Sequence, residues 1–112
     1  SAVAFGQKVH FSQDSIVIND KPCLLYQRTG NSFTIISLDS VKLIEGNITS
    51  TAPGKFSTKY TFLTVNKEFS NEKINGRNAL IFELVQNKIL DESGALNKEK
   101  LLKFIKKYNQ QK

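Results

Sequence analysis

The lysines near the carboxyl end are the residues of this sequence whose types and spacing could do chemistry. Residues 98–112 contain six lysines and one acidic residue, against a net charge of +6 for the whole chain. Four of these lysines fall on one side of a predicted helix: Lys100, Lys103, Lys106 and Lys107. Lysines spread along one helix are typical of a surface that binds a polyanion. Such a partner would be an anionic lipid, a cell-wall polymer or a nucleic acid.

The opposing interpretation is that these lysines form the solvated side of an amphipathic helix. The cluster contains no arginine, and the arginines of the chain are Arg28 and Arg77. Recognition of bases usually depends on arginine and on exposed aromatic rings, whereas Phe104 and Tyr108 fall on the apolar side of this helix. We therefore expect no specific recognition of nucleic acid, and the composition of the cluster favours a solvated surface.

His10 and Cys23 are the single histidine and the single cysteine of the chain. A catalytic base or metal ligand at His10 needs partner groups, and its place between Val9 and Phe11 indicates the solvent face of a strand. A nucleophilic cysteine needs a nearby histidine or helix N-terminus to lower its pKa. No such group lies near Cys23 in the sequence, so we expect a buried, unreactive thiol.

The segment Asp91-Glu92-Ser93-Gly94 combines acids and glycine, as calcium-binding loops do. No acid stands at the twelfth position that an EF-hand loop requires, so we expect an exposed turn. The six glycines of the chain are scattered singly, which excludes a glycine-rich phosphate loop. The sequence therefore predicts no metal site, no cofactor and no catalytic residue.

The bulk composition is that of one soluble globular domain spanning residues 1–112, with 39% hydrophobic and 23% charged residues. No apolar run approaches the ~18–20 residues of a membrane span, and a single cysteine excludes an internal disulfide. The small residues Ser1-Ala2-Val3-Ala4 fit a chain from which a signal peptide has been removed, although a trimmed chain would look the same. We expect export to the periplasm or outside the cell.

Short runs of alternating apolar and polar residues over residues 8–65 predict an antiparallel meander of five to six strands. The predicted strands cover residues 8–11, 15–18, 23–27, 32–38, 41–48 and 59–65. Their connections are too short for the helical crossovers that parallel pairing requires. Residues 49–57, centred on Pro53-Gly54, predict a loop or an exposed hairpin end, and the polar residues 66–77 lead from the sheet to the helices.

Two helices follow the predicted strands. Residues 78–90 place six apolar side chains in an arc of about 200°: Leu80, Ile81, Phe82, Leu84, Val85 and Ile89. A buried strand over residues 79–85 is the alternative. Residues 98–108 predict a second helix with Asn97 as its N-cap, and its apolar side carries Leu101, Leu102, Phe104, Ile105 and Tyr108. The predicted fold class is α+β, with the helical pair of residues 78–108 packed on one face of the sheet.

The run Gly94-Ala95-Leu96-Asn97-Lys98-Glu99, with Leu102, Phe104 and Lys107-Tyr108 after it, resembles the tail of small exported bacterial proteins. The resemblance implies export and implies no catalytic or binding residue. Together these observations favour a non-enzymatic, exported binding protein that meets a protein or a surface polymer through the exposed face or edge of the meander, or through the basic helix. The alternative is a polyanion binder that uses the lysines of the last helix. An enzyme built on His10 and acids brought near it by the fold comes third.

Overall fold

The computed structural model describes residues 9–12 and 14–110. In chain order its elements are strands β1 (Val9–Phe11), β2 (Ser15–Ile18), β3 (Lys21–Thr29), β4 (Ser32–Ser37), β5 (Lys42–Ala52), β6 (Lys55–Phe62) and β7 (Lys67–Phe69), then helices α1 (Arg77–Gln86) and α2 (Lys98–Tyr108). Neighbouring strands pair antiparallel in the order of the chain. The α+β class, the meander and the two terminal helices are therefore confirmed. Lys8, Lys112 and the small residues 1–4 lie outside the described residues.

The sheet has seven strands among the described residues, rather than the predicted five to six. The additional strand is β7, which lies in the segment that the sequence assigned to a polar connection. Only Phe69 of its three residues is buried. So short a segment shows almost no alternation of apolar and polar residues, which is the pattern that predicts a strand. Residues 49–57 also belong to the sheet, because β5 and β6 continue through them as one hairpin that turns at Pro53-Gly54. That hairpin end is exposed, as expected.

The helices cover one face of the sheet, and the strand register identifies the residues of that face. Phe33 lies opposite Gly46, Gly46 opposite Tyr60, and Tyr60 opposite Phe69. These rings form one apolar cluster with buried side chains from both helices: Leu80, Ile81, Leu84, Val85, Leu101, Phe104 and Ile105. Burial of this surface is the main favourable contribution to the stability of such a domain.

Helix α1 is shorter and turned differently from the prediction. It ends at Gln86 instead of residue 90, and Lys88 has a left-handed φ of 59°. Its buried arc spans about 140° at 100° per residue, from Leu80 to Val85, and Phe82 falls outside that arc with 50% of its surface exposed. Phe82 was wrongly predicted as a core residue, and the alternative of a buried strand over residues 79–85 is wrong as well.

The polar connection before α1 is held to the sheet by hydrogen bonds. The hydroxyl of Tyr60 lies 2.8 Å from the carbonyl oxygen of Ile74 and 3.0 Å from that of Gly76, and donates to them. The side chain of Asn75 accepts from the amide of Thr58 and donates to the carbonyl of Phe56. Burial raises the pKa of Tyr60 to about 12. The start of α1 is thereby fixed against β6.

Helix α2 matches the prediction at both ends. The side chain of Asn97 accepts a hydrogen bond of 2.9 Å from the amide of Lys100, which is the N-cap contact expected for this residue. Leu101, Phe104 and Ile105 are buried, whereas Leu102 and Tyr108 are 43% and 38% exposed. The apolar side of α2 is thus narrower than its sequence suggests, because its two outer members reach solvent.

Replacing Leu84, which is fully buried, by alanine should lower the free energy of unfolding by about 2–5 kcal/mol, because it leaves a cavity in the core. Phe82→Ala on the same helix is the matched control, and we expect a change below about 1 kcal/mol because half of that ring is already in water. Urea denaturation measures both. A larger loss for Phe82→Ala than for Leu84→Ala would contradict the observed phase of α1.

Candidate functional site

Three of the four lysines predicted as a binding surface line one recess. Lys100, Lys103 and Lys107 surround a depression of about 210 Å³, which we call the lysine recess. Its remaining walls are Asn87 and Ile89 from the segment after α1, and Phe104 and Tyr108 from α2. Ile89 and Phe104 are buried, so the recess combines an apolar floor with three lysines in its walls.

The helical period explains why the fourth lysine lies elsewhere. At 100° per residue, Lys100, Lys103 and Lys107 fall within about 60° of one another around α2, whereas Lys106 lies about 60° beyond Lys103. Lys106 instead lines a depression beside β7, where Glu68 is also found. The predicted set therefore divides into a group of three and a lysine that faces the edge of the sheet.

The side chains that line the lysine recess are basic, neutral polar or apolar. Its described walls contain no aspartate or glutamate, so no carboxylate in the recess neutralises the three lysines. The ammonium group of Lys107 lies 5.3 Å from the centroid of the Tyr108 ring, which holds one lysine near an aromatic wall. Such an arrangement can attract anions.

The remaining sequence candidates take the places expected of them. His10 is exposed on β1, and Cys23 is 2% exposed. The Cys23 thiol donates to the carbonyl oxygen of Glu92, which attaches β3 to the turn after α1, and burial raises the pKa of this thiol. A buried thiol with a raised pKa is a poor nucleophile.

The acidic turn is an exposed structural turn, as predicted. The Asp91 carboxylate accepts hydrogen bonds from the hydroxyl and amide of Ser93 and from the amide of Ala95. These bonds, led by the Ser93 hydroxyl, lower the pKa of Asp91. Within the described residues, no group of three histidine, cysteine or acidic side chains is placed to hold a metal ion.

The sequence analysis missed a second basic recess. Both arginines of the chain, Arg28 on β3 and Arg77 at the start of α1, line a depression of about 260 Å³ together with Tyr26, Phe33 and Asn75. We call this depression the arginine recess. The two arginines are far apart in the chain and belong to different kinds of element, so no spacing rule connects them. The packing of α1 against the sheet brings them together.

No protein-family model matches the chain, and comparison with curated protein sequences and with solved structures finds no match either. The roles of these residues must therefore be argued from their geometry. Across the described ranges, 9–12 and 14–110, neither helix is long and apolar enough to cross a membrane.

We expect a thiol reagent to modify Cys23 in the native protein on the order of 100-fold more slowly than in denaturant, because reaction must wait for local opening. Both rates are measured by the absorbance of the coloured group that the reagent releases when it reacts with the thiol. The control is the double substitution Cys23→Ala, Thr51→Cys, which moves the thiol to the exposed end of the β5–β6 hairpin. That variant should react at similar rates in both states. Equal native and denatured rates for the original Cys23 would refute its burial.

Proposed function

We propose that this protein is a non-enzymatic binding protein that holds a linear anionic polymer along α2 by charge. The observation that supports this proposal is the lysine recess, which is lined by three lysines and whose described walls contain no acid. Because no carboxylate in those walls competes for them, the three lysines are available to an external anion. The polymer would carry phosphate, sulfate or carboxylate groups.

The shape of the lysine recess favours a polymer over a single small ion. At a rise of 1.5 Å per residue, Lys100 and Lys107 are about 10 Å apart along the axis of α2. A linear anion that lies along α2 and contacts all three lysines would extend over about two helical turns. A chain with repeated charges meets that condition, and each charge contributes separately to the affinity.

The chemistry of lysine favours binding that does not depend on polymer sequence. An ammonium group is a compact point charge without the planar fork of arginine. It can therefore donate to an oxyanion that approaches from many directions. No arginine lines the lysine recess among the described residues, and arginine is the side chain most typical of base recognition. We propose recognition of charge density rather than of a particular sequence of units.

Other surfaces of the sheet are less suited to this role. At the β7 edge, the amide of Ser70 donates to the side chain of Asn109, and the amide of Gln110 donates to the carbonyl of Ser70. Backbone groups beside this edge are thus already hydrogen-bonded to the residues that follow α2. Binding of a protein partner through the exposed sheet face or the β1 edge remains the rival proposal, and a partner captured by the lysine-substituted variant described below would favour it.

Export to the periplasm or beyond is a part of this proposal, since cell-wall polymers are anionic polymers found there. An apolar segment ending in small residues, encoded directly ahead of Ser1, would support export. A coding sequence without such a segment would refute export and leave the charge-based binding to be judged on its own test.

The test replaces Lys100, Lys103 and Lys107 with glutamine in one variant. The unsubstituted protein should bind heparin with an affinity that falls steeply as salt rises, and the variant should lose most of that affinity. The slope of log K against log salt should decrease by roughly one for each lysine removed. Fluorescence titration at two or more salt concentrations measures both quantities, with a short oligonucleotide and anionic vesicles as further probes.

The matched control replaces Lys42, Lys55 and Lys73 with glutamine. These lysines are exposed and lie outside the lysine recess, so the control has the same net charge as the test variant. It should keep its affinity within about threefold at physiological salt. Equal losses in the two variants would mean that binding follows the overall charge, which contradicts a site on α2. Binding of vesicles alone would replace the polymer with a lipid surface.

A further inference from the structure

We propose that the arginine recess binds a small organic anion in which a carboxylate or phosphate group is joined to a short apolar or aromatic body. This site shares no residue with the lysine recess, so it is independent of the function proposed for α2. Its volume of about 260 Å³ is below the roughly 300–1,000 Å³ of pockets for drug-sized ligands. The ligand must therefore be small.

The first observation is the fixed position of Arg77. Its guanidinium carbon lies 4.0 Å from the centroid of the Tyr26 ring and 4.5 Å from that of Phe11. The two rings are nearly perpendicular, with an interplanar angle of 79°, so the guanidinium can lie flat against at most one of them and can donate in its plane only from the edge that faces away from the other ring. A guanidinium held in this way is ordered before a ligand arrives, which reduces the entropy lost on binding.

The second observation is that Arg28 reaches the same recess from the sheet. Arg28 follows Tyr26 by two residues on β3, so both side chains lie on the face that the helices cover, and Arg28 lies opposite Phe33. Its Nε donates to the carbonyl oxygen of Gly30 at 3.0 Å, which directs the side chain. The terminal N–H groups of Arg28 remain for an oxyanion, the partner that a guanidinium fork matches best.

The third observation concerns charge. The described walls of the arginine recess contain no aspartate or glutamate. Within the described part of the chain, the salt bridge that is found joins Lys59 to Glu68 and involves neither arginine. Two guanidinium groups in one recess repel each other. A bound anion attracts both of them, and these two attractions offset the repulsion. The recess therefore has the charge of a receptor for an anion.

The chemistry of the walls defines the rest of the ligand. Tyr26 and Phe33 are buried beneath the recess and Ile48 is half-buried at its side, so the surface beside the arginines is apolar. The side chain of Asn75 is already bonded to Thr58 and Phe56, and it offers little to a ligand. An aromatic or short aliphatic group attached to the oxyanion would gain from burial against these side chains.

The test uses phenyl phosphate, benzoate and inorganic phosphate as probes of the intact protein. Isothermal titration calorimetry at low salt should give saturable binding of phenyl phosphate or benzoate, at least about tenfold tighter than that of inorganic phosphate, because the ring is buried. Whichever aromatic probe binds more tightly identifies the anionic group. Absence of saturable binding for all three probes would overturn the proposal.

Substitutions locate the site. Arg28→Lys and Arg77→Lys keep the charge and remove the planar fork, and each should weaken binding of the better aromatic probe by about tenfold or more. Because Arg77 also packs on two rings, urea denaturation must accompany its variant, whereas the exposed Arg28 gives a variant that should retain full stability. Unchanged binding by Arg28→Lys would overturn the proposal.

The variant with Lys100, Lys103 and Lys107 replaced by glutamine is the control, and it should bind the aromatic probe within about twofold of the unsubstituted protein. A large loss in that variant would place the small-anion site on α2 instead. Binding of the small probes and binding of heparin thus succeed or fail separately, so the two proposals can be distinguished.

Discussion

The absence of a side chain at Gly46 is the constraint on which the packing of this domain depends. Gly46 lies between Phe33 and Tyr60 in the register of β4, β5 and β6. A Cβ atom at Gly46 would overlap Cζ of Phe33, far inside van der Waals contact. The Phe33 ring therefore occupies the space above the glycine, and Tyr60 packs against it with ring centroids 6.3 Å apart. A larger residue at this position would displace the Phe33 ring, which belongs to the apolar cluster that joins the sheet to the helices.

Both basic recesses are lined by aromatic rings that belong to the same series of ring contacts as Phe33 and Tyr60. Successive ring pairs run through Phe11, Tyr26, Phe33, Tyr60, Phe69, Phe104 and Tyr108. The guanidinium of Arg77 lies within 4.5 Å of the centroids of the first two rings, and Lys107 lies beside the last ring. An aromatic ring with a cation beside it thus lies at each end of this series of ring contacts. The tyrosine in the middle also holds the connection that leads to α1.

Local patterns predicted what depends on local sequence, and the misses have physical causes. Helix α2 was predicted to the residue because Asn97, a regular apolar period and the lysines agree with one another. Strand β7 was missed because pairing with β6 stabilises it, while its own three residues show little pattern. Phe82 was misplaced because a helical arc does not reveal where the sheet stops covering it. Three of the four predicted lysines share a recess, whereas the pairing of Arg28 with Arg77 arises from tertiary structure alone.

Substitution of Gly46 by alanine tests this account most directly, because the two possible results differ in sign. Gly46 does not have a left-handed φ, so alanine should fit its backbone and raise the free energy of unfolding by about 0.4–1 kcal/mol if Phe33 can move aside. If the Phe33 ring is held by the packing described here, the added methyl group should instead lower it by about 1–3 kcal/mol. We predict the loss, measured by urea denaturation, with partial recovery when Phe33→Leu is added to Gly46→Ala. An increase in stability for Gly46→Ala would contradict the central place of this contact.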